Sequence, residues 1–484
     1  MFLISERRVR REKGQAIILF VVAMGIVLIG ALGLAIDGSQ LYAHRQMLQA
    51  AADSGAQAGV MSVFNKTNTG TNDFGTGGSF TCSTTDDRTP CYYARRNGVG
   101  TTADDAVFVD FPTSAPGVNL SSTDTPNLVR VTVTRTVHNG IIQFVAPALS
   151  SVRATATAAI VNVISPTPIL VLHPTLAGSL FINGNPTIQI CGGPRRSIQV
   201  NSKTSPTTQF KGNPVVDLSR AGPSDPGNCT SGTGGDFGSF AGPTTQPSQI
   251  QVGSATYIQP SSPIRDPLIG VPAPAVPAAA PAQTSLANGV SGCPLNPGKA
   301  CKLYSPGLYP TGIEVKNETA VFKPGVYYMQ TKGFQSAANG DLVMSTGFAN
   351  DAITGQGMLV YVTGNGTNDI VNVGSNGSLS LLGTPNASIY KGILFFSAHT
   401  STVLKDHRLG GNGAVQLIGT IYLANTSPTA TVYQRLTLQG TPGSSTHITG
   451  QIVVDALELG GNAGITMTLN PTGTLNVRQV ALVN

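Results

Sequence analysis

The chain has 484 residues, 11% of them charged, and a net charge of +6, where an ordinary soluble domain has roughly 25% charged residues. Glycine (57) and proline (32) are abundant and tryptophan is absent, a mixture that suits short strands and turns and suits long helices poorly. Arg7, Arg8, Arg10, Arg11 and Lys13 against Glu6 and Glu12 give 5 − 2 = +3 in the first thirteen residues, so only +3 is spread over the other 471. No basic stripe remains to hold a run of phosphates, which excludes nucleic-acid binding. The length predicts at least two folded units.

From Gly14 to Ile36 no side chain is ionisable. Residues 16–36 form an apolar run that as a helix measures about 31 Å, the thickness of a bilayer core. A basic cluster, residues 1–13, precedes it and Asp37 follows. The positive-inside bias then keeps the N-terminus cytoplasmic and exports the C-terminal bulk. A cleaved signal peptide also starts basic, but its apolar core is shorter, about 7–15 residues, and ends in a small-x-small site. The run here continues into Leu41–Met61, which has strong helix formers and no proline, with Leu34, Leu41 and Leu48 near one face. Gly38, Gly55 and Gly59 invite a kink or a frayed end, and two helices broken near Asp37-Gly38 are the alternative to one long helix.

The Gly14-Gln15 start, the apolar span, Asp37, Leu41-Tyr42, Arg45, Leu48-Gln49 and Ala51-Ala52-Asp53 resemble the N-terminus of TadG-like and TadE-like proteins of the Flp (tight-adherence) pilus assembly system. Residues 93–99 and 129–137 resemble the small helix and paired strands that follow it in those proteins. The resemblance spans roughly residues 10–163 and implies an accessory protein of the bacterial cell envelope. A prepilin carries Glu five residues after its cleavage glycine; counting from Gly14, that place is Leu19. Cleavage as a prepilin and assembly as a major subunit are therefore not expected.

Residues 63–165 read as a small α+β, pilin-like domain. Residues 127–137 alternate with period two as a half-buried strand, 151–163 supply its partner, and 141–150 suit a short helix. Cys82 and Cys91, eight residues apart in a turn-rich segment, predict a local disulfide in an exported protein.

Beyond Pro166 two interleaved frames recur. The first runs through Ile182–Ile190, Phe210–Leu218, Val373–Leu381, Leu409–Leu417 and Leu459–Met467, each with a Gly/Asn turn between apolar strands. The second is a glycine before an apolar strand, at Gly357, Gly392, Gly419 and Gly450, spaced 35, 27 and 31 residues. Recurrence near 30 residues predicts a β-solenoid (parallel β-helix) over 166–484. A β-sandwich is the alternative and would prefer hairpins without a period. The phrases Ser305–Tyr309 and Lys323–Tyr327, each with Pro-Gly inside, resemble repeats found C-terminal to TadG-like anchors. Residues 219–300, extreme at VPAPAVPAAAPAQ (271–283), interrupt the pattern as an excursion draped on the solenoid or a mobile loop. Cys191 with Cys229 and Cys293 with Cys301 would staple its roots, one of fifteen connectivities for six cysteines.

No catalytic, cofactor-binding or metal-ligating residue is assigned. The densest cluster, Lys405-Asp406-His407-Arg408, reads as a solvated turn. His44, His138, His173, His399, His407 and His447 are scattered, and HExxH, GxSxG, Walker and CxxC patterns are absent. Asp37-Gly38-Ser39 resembles the start of an integrin-like metal motif, but Leu41 stands where a second serine is needed. The expectation is a mainly β, single-pass membrane protein without enzymatic activity, a pilus-type or adhesion accessory. Its expected partners are the bilayer, envelope proteins of that apparatus and surface glycans. A membrane-tethered β-helix enzyme acting on polysaccharide is the alternative.

Overall fold

The computed structural model describes residues 5–65, 67–75, 78–118, 120, 125–137, 151–164, 167–295, 298–364, 366–374, 376–385, 388–411, 413–440, 445–462, 464–469 and 476–483. The short helix expected at 141–150 lies outside them. The chain forms two units, residues 1–163 with 478–484, and residues 164–477.

The first unit is built on one helix, α1 (Ser5–Phe64), of 60 residues without a break at Asp37-Gly38. Its N-terminal half carries Ile17, Phe20, Ile26 and Ile29 about two-thirds exposed. Among the described residues it is the one helix long and apolar enough to cross a membrane, its most apolar 18 residues having a mean hydropathy of 2.9. Its C-terminal half buries Leu48, Ala51, Ala52, Ala56 and Val60 against an antiparallel sheet. That sheet has the order β1 (Phe80–Thr81), β2 (Asp105–Asp110), β3 (Leu128–Thr136), β4 (Ser151–Ile164). β3 and β4 pair from Leu128↔Ala159 to Thr136↔Ser151, and Val129, Val131 and Val133 enter the core.

Gly55 and Gly59 neither kink nor fray the helix. α2 (Thr89–Arg96) crosses it there, and a Cβ on Gly55 or Gly59 would lie 3.0 Å from the Pro90 carbonyl oxygen or 2.9 Å from Pro90 Cγ. The glycines admit a close approach of the two helices. The expected Cys82–Cys91 disulfide ties α2 to β1. The last strand, Asn476–Val483, lies beside β4 in this sheet, so the solenoid does not run to residue 484. Ala481 and Val483 pack near Leu128 and Ala159, which removes their apolar surface from water as another solenoid coil would have done. The solenoid is thus an insertion between the fourth and last strands of the small sheet.

The second unit is a three-faced solenoid of parallel strands. Among the described residues face I has ten strands, face II eight and face III eleven, all parallel except the end strand Thr284–Leu286 of face III, which runs antiparallel to Cys301–Tyr304. One coil reads Ile169–Val171 on face I, Leu180–Gly184 on face II and Thr187–Cys191 on face III. Alternate residues of every face point inward, so Ile182, Ile188, Phe334, Phe395, Leu436 and Ile465 join one continuous core. Coils stack at about 4.8 Å, which lets each apolar row cover the next. Both sequence frames are corners: the Gly/Asn frame turns from face II to III, and the glycine-strand frame turns from III to I. The paired Pro-Gly phrases are corners too. In each, the tyrosine turns inward and its hydroxyl donates to the carbonyl four residues back, Tyr309 to Ser305 (2.6 Å) and Tyr327 to Lys323 (2.8 Å).

The winding order was not legible from the repeats. Coils from residue 169 advance to one end, and those from residue 301 begin at the other end and wind back. The two halves meet where Ile452–Val454 pairs with Ile169–Val171 and Ala456–Gly461 with Leu180–Gly184. Residues 219–258, expected to lie outside the pattern, still supply Asp236–Ser239 and Tyr257–Ile258 to face I and Ile250–Gln251 to face III. Strands of two to four residues carry too little apolar alternation to be seen without their partners.

Residues 259–283 form an extended strap along the outside of face I. It is fastened in chain order: Ile264 to Asn201, Asp266 to Tyr422, Val271 to His399, and Ala278 and Ala280 to Leu308. From the strand of Asn201's coil to that of Leu308 is seven strand spacings, roughly 34 Å. Leu268 of the strap packs with Leu170, Leu359, Phe396, Tyr422 and Val453 on the outer side of face I. A Pro/Ala segment that cannot order itself is ordered by apolar surface the solenoid provides. The Cys191–Cys229 and Cys293–Cys301 disulfides form as expected.

Candidate functional site

The cluster at residues 405–408 is not a solvated turn. It opens the face II strand Lys405–Gly411, and the pleat alternates its side chains. Asp406 and Arg408 face outward, where Asp406 pairs with Arg435 at 2.7 Å, and Arg435 reaches Glu458 at 3.3 Å. Lys405 and His407 face inward and are fully buried. The sequence reading missed this because charge suggests exposure. The signal it could have used is the alternation Lys405, His407, Leu409 in one phase with Val415 and Leu417.

Register places the inward groups of the I-to-II corner in a column, since Lys405 pairs with Gln434, and Gln434 precedes Arg435 as Asp455 precedes its partner Ala456. His407 Nδ1 accepts from the Val371 N–H at 3.1 Å, so its Nε2–H donates to Gln434 Oε1 at 3.0 Å. The Gln434 amide donates to the Ala398 carbonyl and to Asn425 Oδ1, each at 2.9 Å. The backbone N–H groups of Asn425 and Gln434 both donate to Asp455 Oδ2, at 3.0 and 2.8 Å. Lys405 donates to the carbonyls of Gly366 and Asp369. Burial pushes His407 down to about 4, pushes Asp455 up to about 8, and lowers Lys405. The column holds acid, base and amide groups, but a general acid or base must come within hydrogen-bond reach of a substrate. These groups are sealed inside, so the arrangement closes the polar corner.

Replacing Lys405 with methionine is expected to remove a charged donor from the Gly366 and Asp369 carbonyls, of which Gly366 keeps the Asp369 N–H. Stability should fall by about 1–3 kcal/mol, read as a lower urea midpoint at unchanged m-value; an unchanged midpoint would show the bonds are dispensable.

A second constellation lies under the strap. The Tyr422 hydroxyl is 2.7 Å from Asp266 Oδ2 and 3.0 Å from His399 Nδ1, and His399 Nε2 donates to the Val271 carbonyl at 3.2 Å. Burial raises both Asp266 and Tyr422. Tyr422 is fully buried, so the trio serves to fasten the strap.

The remaining sequence candidates are dispersed. Asp37-Gly38-Ser39 lies inside α1, where Ser39 donates to the Ile36 carbonyl at 2.7 Å. His173 caps a corner, accepting from Thr175 and Leu176 N–H groups and donating to the Thr429 carbonyl. His44 is on α1, His447 is on face III, and His138 lies outside the described residues. Among the described residues, the one grouping with metal-ligand proximity is Cys82, Asp86 and Cys91. Its sulfurs are joined to each other and Asp86 is held by Arg88, so it offers no thiolate.

No curated protein matches the chain. Among solved structures, the competence-associated pilin ComZ from Thermus thermophilus is 11% identical, over 78% of this chain and 83% of that chain, with a TM-score of 0.28; a likeness this low carries no argument. The family comparison is more specific, since it falls on the segment where α1 passes from its exposed apolar half to its packed half. Residues 14–62 match the putative Flp pilus-assembly TadE/G-like family, and the chain thus carries a TadE/G-like N-terminal segment.

Proposed function

We propose that this chain is a membrane-anchored, extracytoplasmic accessory protein of a Flp/Tad-type pilus or a related surface-adhesion apparatus, and that it acts without catalysis. The observation carrying this reading is that the TadE/G-like match at 14–62 coincides with an exposed apolar helix leading straight into a packed small domain. Residues 16–36 cross the bilayer, with residues 1–13 cytoplasmic by their positive charge. Three disulfides support an oxidising compartment for the remainder. The apparatus's other envelope proteins are the partners. Against the polysaccharide-enzyme alternative stand the burial of His407 and the pairing of Asp406 with Arg435.

Fractionation tests the reading. The full chain should partition with membranes and resist alkaline extraction, and a chain lacking residues 1–36 should be soluble. A reporter active only outside the cytoplasm should work when fused after residue 484, and cells without the chain should lose surface pili or adhesion. Recovery of the intact chain in the cytoplasmic soluble fraction would sink the proposal.

A further inference from the structure

Where the strap leaves the coil of Asn201, it borders an open cavity of about 480 Å³, within the roughly 300–1,000 Å³ usual for small-ligand sites. The cavity is bounded by Pro263–Asp266 and Ile269 of the strap and by residues that follow the face I strands of four coils. Lys203 and Arg265 stand on its wall, both exposed, and among the described residues neither has an ion-pair partner. Its one carboxyl group, Asp266, bonds the Tyr422 hydroxyl at 2.7 Å and pairs with neither cation. The wall therefore carries two cationic side chains without an ion-pair partner, which a ligand of opposite charge would supply.

The rest of the wall narrows the ligand further. Leu172, Phe240 and Pro428 offer flat apolar surface, and Thr426 offers a hydroxyl. Asn201 is already spent on the strap, donating to the Ile264 carbonyl at 2.7 Å and accepting from its N–H at 3.0 Å. A bare inorganic anion would leave the apolar wall unused. A sugar ring carrying a carboxylate would use both, with its C–H face on the apolar wall and its carboxylate on the Arg265 fork and the Lys203 ammonium.

From this juxtaposition of two unpaired cations with an apolar wall beside the strap, we propose that the cavity binds an acidic sugar unit, such as a uronic acid of a surface polysaccharide. The inference does not depend on the pilus-related reading. Binding would also clamp the strap to the coils it joins, because Arg265 sits on the strap and Lys203 on the solenoid.

The test is calorimetric titration of the purified full chain in detergent with galacturonate, glucuronate and mannuronate oligomers, with neutral galactose oligomers and inorganic phosphate alongside. At least one uronate should bind, and neutral oligomers should bind at least about tenfold more weakly, as expected for loss of a charged hydrogen bond. Lys203→Met and Arg265→Met should each weaken binding about tenfold. The double variant should abolish it while its thermal midpoint stays unchanged, both side chains being exposed. Binding of a uronate unaltered in the double variant, equal binding of neutral oligomers, phosphate binding as tight as the uronate, or no binding of any uronate would each overturn the proposal.

Discussion

Replacing Gly461 with valine is expected to destabilise the solenoid by about 3–5 kcal/mol, from backbone strain and overpacking together. Gly461 sits at φ +84 in the II-to-III corner, and its neighbours in the column are Gly440 on one side and Gly184 (φ +93) on the other. A Cβ on Gly461 would lie 2.5 Å from the Gly440 carbonyl oxygen, and one on Gly184 would lie 2.5 Å from that of Gly461. Both obstacles are backbone, so no rotamer change relieves them, and the left-handed conformation is itself unfavourable for valine. The column also crosses the junction of the two half-solenoids, so an ejected corner would open the seam between residues 184 and 461. Denaturant unfolding should show a lower midpoint for Gly461→Val and a smaller drop for Gly461→Ala. Gly464→Ala is the control: an added Cβ there meets nothing within 4 Å, and stability should stay within about 0.5 kcal/mol. Equal midpoints for Gly461→Val and Gly464→Ala would show that the column is not a tight element.

The second large effect is a dependence of stability on pH centred on Asp455. Burial raises its folded pKa from 3.8 to about 8, so between those values the folded chain holds a proton that the unfolded chain has lost. Stability from this group is fully present below the unfolded pKa and falls as pH rises through the folded one, by on the order of 5 kcal/mol across the whole window. His407 works oppositely at the acid end. Its pKa falls from 6.5 to about 4, so its stability contribution is lost as pH drops through that range. Between pH 6.5 and 8 the folded imidazole is neutral and the unfolded one sheds its remaining proton, so His407 adds only about 0.4 kcal/mol while the Asp455 contribution falls by about 1.5 kcal/mol. Asp266 adds to the upward push on Asp455, and Lys405 is the buried cation of the same column. Asp455→Asn keeps an acceptor for the Asn425 and Gln434 N–H groups and cannot ionise. Its stability should not fall from pH 6.5 to 8, where the parent's does; the same falling slope in both proteins would assign the effect to another group.

Features that depend on local chemistry or short-range periodicity are legible in the residues alone. The apolar run at 16–36 needs no partner to be recognised, because its length and lack of charge are its property. The strands at 127–137 and 151–163 follow from period two, and the solenoid follows from glycines near a 30-residue recurrence. The three cysteine pairings were legible because each links segments close in sequence or flanking one excursion. Tertiary structure alone decided what depends on pairing between distant segments. The meeting of two half-solenoids at Ile169 and Ile452 rests on backbone hydrogen bonds across nearly three hundred residues, and such bonds leave no side-chain signature. The return of 476–483 to the first sheet is hidden for the same reason, since its alternation suits either sheet. Lys405 and His407 were misplaced because their residue types suggest water, whereas stacked coils supply carbonyls and amides that satisfy them inside. The apolar helix was readable from its own residues; the strap and the cavity beside it exist only because four separate coils converge on residues 263–269.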